Sequence, residues 1–203
     1  MTLFSSDPLE LAKVNQYQAM ELIRNLLWDE SSNVGVPKHL IDAAFNINVK
    51  DGGIDALIRD AKPSNDEIIP DGYSGFQVKS SDLPPKECKK ELHERGDLDG
   101  DLKELVEYVL ENAGTYVLIL FADLTALQKK NRRDAIVDEL SRHYSTPKVR
   151  IYTIDNLISF ARRFPGLSKL DEGVPFRYGR ITLKLGTQQF SEAIPTETVS
   201  SLT

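Results

Sequence analysis

Cysteine is almost missing from this chain. A single thiol, Cys88, stands among 203 residues, so no internal disulfide can form and multi-cysteine zinc motifs are excluded. Histidine is scarce as well: His39, His93 and His143 show no spacing suited to a metal and read as structural or exposed groups. Long apolar runs are lacking. The longest, residues 116–122, ends at Asp123 and falls far short of the ~20 residues that cross a bilayer, so no membrane association is expected. The opening MTLFSSDPLE has neither a basic n-region nor an apolar h-region, which argues against a signal peptide. An excess of positive charge is missing too, since 25 Lys and Arg stand against 31 Asp and Glu for a net −6. Nucleic-acid binders normally display a basic face, because phosphate neutralisation supplies most of their non-specific affinity. Any such role here has to rest on local patches. These absences lead to the expectation of a soluble, cytoplasmic chain.

What is present is ordinary globular material. With 40% hydrophobic and 28% charged residues, disordered, fibrous and collagen-like readings fall away. Asp7-Pro8-Leu9-Glu10 combines an N-cap, a proline at the first helical position and a Glu that can close a capping box. Leu9, Ala12, Tyr17, Met20, Ile23 and Leu27 follow at helical spacing up to Trp28, predicting a helix over residues 8–29 and a break over 30–37. Strands are predicted at 44–50 and 54–60, joined by Asp51-Gly52-Gly53, where glycine tolerates the positive φ of tight hairpin turns. A third strand is predicted at 73–80, followed by a charged segment over 84–96. Then come a helix at 101–112 stopped by Gly114, a buried strand at 116–122, and a helix opened by Thr125 and Gln128 that lasts to about Tyr144. A strand at 149–154 and a short helix capped by Asp155 complete the pattern before Pro165, with one more strand at 180–185 and a polar end. The order α-β-β-β-α-β-α-β-α predicts an α/β fold, a central mixed sheet flanked by helices. Its main domain is placed at 1–165, and residues 166–203 form a C-terminal extension or linker.

One group of residues suggests chemistry. Alternation puts Ile54, Ala56 and Ile58 on one face of the second strand and Asp55, Leu57 and Arg59 on the other. In the third strand, Phe76 and Val78 face the core while Gln77 and Lys79 share the opposite side. If these strands are neighbours, a carboxylate, an amide carbonyl and an ammonium meet at one end of the sheet. Such oxygens suit Mg²⁺ with several retained waters, and a cation there would help deprotonate water and offset charge on a phosphoryl group.

Asp51-Gly-Gly-Ile-Asp55 with Gln77-Val-Lys79 resembles the active-site signature of the PD-(D/E)xK restriction-endonuclease-like superfamily, and within it the Mrr-type branch, where glutamine replaces the second acid. The αβββαβ core of that fold matches the predicted element order from about Pro8 to Ile154. The resemblance implies a metal-dependent DNA endonuclease, a phosphodiester hydrolase using Mg²⁺ with Mn²⁺ as a substitute. It also implies the effector domain of a bacterial antiphage defence protein, fused to a STAND-type NTPase or another sensor and acting as a homo-oligomer through itself or that partner domain. Carried onto this chain, Asp55 becomes the metal-binding acid, Gln77 a neutral oxygen ligand, and Lys79 the group that orients the attacking water and stabilises transition-state charge. Glu21 is the match for the first-helix acid that many relatives place near the metal. The proline of the motif's name is absent, since Ile54 precedes the aspartate.

Taken singly, Asp55 also reads as a solvated strand residue, Gln77 and Lys79 as the polar face of a half-buried strand, Glu21 as an exposed helix charge and Asp51 as a turn former. Cys88 lies in a charged segment expected to be exposed. Two basic clusters, Lys86 with Lys89 and Lys90, and Lys129-Lys130 with Arg132-Arg133, are solvated faces by default and DNA-backbone contacts if they border the site. The competing functions are a catalytically silent binding or interaction module of the same fold, and an RNA- or junction-directed nuclease.

Overall fold

The structure, a computed structural model, describes residues 11–43, 52–63 and 68–164. The predicted strands at 44–50 and 180–185, Asp7 as a helix cap, Asp51 and the extension beyond residue 165 lie outside them.

Helix α1 (Gln16–Val34) starts at Asn15, whose side chain accepts from the Gln18 amide while Gln18 reaches back to the Asn15 N–H. It ends at Gly35, which takes the left-handed conformation at φ 73°. The break predicted over 30–37 therefore begins only at Gly35. Glu30 and Ser31 are fully buried in the last turns, and Ser31 satisfies its hydroxyl on the Trp28 carbonyl. Strands β1 (Ile41–Ala43), β2 (Ala56–Ala61) and β3 (Gly72–Lys79) follow. Next come α2 (Pro85–Lys90), α3 (Glu104–Glu111), β4 (Thr115–Leu120), α4 (Ala126–Leu140), β5 (Lys148–Tyr152) and α5 (Ile154–Ala161). Helix α2 was not foreseen in the charged segment. Its start is set by Pro85, whose fixed φ suits the first helical position.

The five strands form one mixed sheet in chain order. β1–β2 and β2–β3 pair antiparallel, whereas β3–β4 and β4–β5 pair parallel. Ala43 pairs with Ala56, and the predicted hairpin through Asp51-Gly52-Gly53 involves residues outside the described ones. Helices cover both faces of the sheet and make two cores. Ala56, Ile58, Phe76, Val78, Val117 and Ile119 pack against apolar residues of α1 and α5. Leu57, Tyr116, Leu118 and Leu120 pack on the other side with Cys88, Val106, Val109, Ile136 and Leu140 of α2, α3 and α4. β4 lies between β3 and β5 and feeds both cores, which explains why it is buried throughout. Ile54 precedes β2 and joins the second core, departing from the alternation expected of it. Among the described residues, no helix is long and apolar enough to cross a membrane.

Gly75 fixes how closely α3 can approach the sheet. A Cβ there would sit 2.6 Å from Ile54 Cδ1 and 2.9 Å from Val109 Cγ2. Gly75→Ala is expected to lower stability by roughly 1–3 kcal/mol through overpacking, read as a lower urea midpoint at unchanged slope. An unchanged or higher midpoint would show that the second core yields without cost.

Candidate active site

Asp55 sits just ahead of β2, and its backbone N–H donates to the Phe76 carbonyl at 2.8 Å. Its Oδ2 accepts the Val78 N–H at 2.6 Å, midway between Gln77 and Lys79 in β3. The chain reaches that position through Gly52 and Gly53, both at positive φ (59° and 86°). The Gly52 carbonyl accepts the Leu105 N–H at 3.1 Å, and a Cβ on Gly53 would meet Lys103 Cδ at 2.4 Å. The glycines therefore admit the stem of Lys103 beside the turn that delivers Asp55.

Gln77 is only 4% exposed, so both ends of its amide require partners. Tyr116, on the neighbouring strand β4, donates its hydroxyl to Gln77 Oε1 at 2.8 Å. Burial holds the Tyr116 phenol well above its ordinary range, with the Glu91 charge adding to the effect, so it remains a donor. On the other side Gln77 Nε2 donates to Glu91 Oε2 at 3.0 Å. Lys79 Nζ lies 2.6 Å from that same oxygen, and Lys103 Nζ lies 3.7 Å from it. The predicted trio of Asp55, Gln77 and Lys79 is thus brought to one end of β2 and β3, joined by a second carboxylate and a second ammonium. Neither Glu91 nor Lys103 carries a local sequence signal. Glu91 caps α2 and Lys103 immediately precedes α3, and only the packing of those helices brings them in.

Glu21 stands partly exposed on α1, its carboxyl raised above the usual Glu range because burial outweighs the nearby Arg24 guanidinium. Among the described residues, no three His, Cys, Asp or Glu side chains gather as a metal group. Glu21 therefore does not complete one with Asp55 and Glu91. From α1, Gln16 bonds the site strand directly: its Nε2 donates to the Val78 carbonyl at 2.7 Å and its Oε1 accepts the Ser80 N–H at 3.0 Å.

The basic clusters are largely engaged within the fold. Arg132 is buried and grips Asp82 through Nε and a terminal nitrogen (2.9 and 2.6 Å), while also reaching the Leu83 and Gln128 carbonyls. Arg133 donates to the Val149 carbonyl at 3.2 Å, Lys129 bonds Asn156, and Lys130 pairs with Asp134. Lys90 pairs with Glu87 at 2.8 Å, and Lys89 lies 3.6 Å from the buried Glu139, leaving Lys86 exposed without a recorded role. His93 is buried too, with Nδ1 2.8 Å from the Gly100 carbonyl. Cys88, expected at the surface, is fully buried in the second core, and burial pushes its thiol up to about 12. It packs as a small apolar residue rather than a nucleophile. No family model, curated protein or solved structure matches the chain.

The Gln77 amide has to be neutral where it stands. A carboxylate in its place would confront Glu91 at about 3 Å and leave no donor on that side. Gln77→Glu is expected to cost roughly 1–3 kcal/mol at neutral pH, and the double exchange Gln77→Glu/Glu91→Gln to recover most of it, as a thermodynamic cycle in chemical unfolding would read. Additive losses from the two changes would refute the pairing.

Proposed function

We propose that this domain is a metal-dependent endonuclease hydrolysing DNA phosphodiesters, the effector of a bacterial antiphage defence system. The carrying observation is the convergence of Asp55, Gln77 and Lys79. The Asp55 carboxylate binds the Val78 N–H between the other two, and Gln77 and Lys79 meet on one carboxylate oxygen. A β1–β2–β3 meander followed by parallel β4, with helices on both faces, supports the restriction-endonuclease-like reading.

The donors present suit Mg²⁺. Asp55 offers a carboxylate, the hard oxygen donor that Mg²⁺ prefers. Asp55 is the residue that would hold it, with Gln77 able to join only through the second lone pair of the oxygen that Tyr116 occupies, and when bound it would acidify a water and offset charge on the phosphoryl group. Lys79 places an ammonium beside the reacting phosphate, where it favours the charge that develops in the transition state. Tyr116 fixes the Gln77 amide so that its oxygen stays on the Tyr116 side and its nitrogen serves Glu91. The second reading, a docking module without catalysis, is favoured by one observation: Lys79 already has a carboxylate partner in Glu91.

Incubation of plasmid, single-stranded DNA and RNA with the full chain, in Mg²⁺, in Mn²⁺ and in EDTA, separates the two readings. Cleavage only with metal is expected. Asp55→Asn, whose amide oxygen can still accept the Val78 N–H, should remain folded and lose nearly all cutting. Lys79→Ala should lose about 10²–10³ in rate. Because clustering raises local concentration on a polymer, the assay includes a version fused to an oligomerising module. If no nucleic acid is cut in either form, or Asp55→Asn cuts as wild type, the hydrolase reading falls.

A further inference from the structure

Three donors converge on one oxygen. Glu91 Oε2 has Lys79 Nζ at 2.6 Å, Gln77 Nε2 at 3.0 Å and Lys103 Nζ at 3.7 Å. Two ammonium groups and an amide N–H around a single point define a position for an anionic oxygen, whichever molecule supplies it. The donors come from separate parts of the chain: the end of β3, and the residue ahead of α3 whose stem crosses Gly53. Gln77 is locked by Tyr116, so the donor set does not depend on Glu91 alone to hold its shape. The Glu91 carboxylate is held by these three donors. Its side chain keeps 23% of its surface in water, close to the 26% and 20% of the two lysines. An ion pair that keeps part of its surface in water can be reached by an incoming anion, whose oxygen satisfies the same donors.

We propose that Lys103 is a phosphate-contacting residue and that the Glu91 carboxylate occupies the place of a phosphodiester's non-bridging oxygen. The inference rests on reading the site as one for phosphodiesters, and it adds both a residue and a regulation. The resting protein is self-masked, with Lys79 and Lys103 neutralised from within, and substrate binding requires Glu91 to swing out toward solvent. Self-masking also accounts for how an acidic chain can hold two site lysines without a standing basic face.

The test is binding without metal. Anisotropy of a fluorescein-labelled oligonucleotide, single- and double-stranded, is titrated with the full chain in EDTA at several salt concentrations. Glu91→Gln, which removes the competing charge and keeps an amide, should tighten binding. Lys103→Met, which keeps the stem that covers Gly53, should weaken it about tenfold and lower the slope of log K against log salt by about 0.7–0.9. The double variant should lose the gain seen with Glu91→Gln. Glu91→Met and Lys103→Gln serve as second variants if circular dichroism shows either first choice unfolded. Unchanged affinity for Lys103→Met, or equal or weaker binding by Glu91→Gln, overturns the proposal. Metal-dependent cleavage alongside unchanged binding would remove this inference and leave the hydrolase. The expected binding pattern with no cleavage under any metal would keep the phosphate site and remove the hydrolase.

Discussion

The Gln77 amide joins the two halves of this architecture. Its oxygen takes the hydroxyl of Tyr116 from the adjacent parallel strand, and its nitrogen holds a carboxylate from the segment that ends α2. The side chain is almost wholly buried, so both ends of the amide need a partner. That constraint sets the spacing between the sheet's polar end and the helical layer above it. Lys79 and Lys103 then find their places around the carboxylate that Gln77 holds.

The same end of the sheet is reached from the opposite face by α1. Gln16 clamps the Val78 carbonyl and the Ser80 N–H, while Asp55 takes the Val78 N–H. The backbone of β3 at this point is therefore saturated by side chains from two other elements, in a region where a strand would otherwise be fraying. A site held this way is pre-organised, since the groups that would act are positioned by bonds that no ligand has to form. Charge is balanced locally, with Asp55 and Glu91 standing against Lys79 and Lys103.

The basic run on α4 divides between surface and interior, with Lys130 and Arg133 exposed and Arg132 buried. Lys129, Lys130, Arg132 and Arg133 look like a surface stripe in the sequence, yet Arg132 is buried across Asp82 and the others bond within the fold. Arg132 ties α4 to the segment leading into α2, and so helps place Glu91. Its role follows from an aspartate fifty residues away in the chain, which no local window contains. Glu91 and Lys103 were illegible for the same reason.

Short-range physics carried most of the fold. The alternation around Phe76 and Val78, the unbroken apolar run of β4 and the Thr125–Gln128 capping box each describe a bond or burial closed within a few residues, so they could be read directly. The α/β order and the pairing of Asp55 with Gln77 and Lys79 came with them. Helix ends were less legible: α1 runs on past residue 29 to Val34 and stops only where Gly35 takes the left-handed conformation. What the chain alone determined was which residues sit at the end of β2 and β3. What only the tertiary structure decided was their company, because Glu91, Lys103, Tyr116 and Gln16 reach that end through contacts made across the packed layers, where sequence distance has no bearing on proximity.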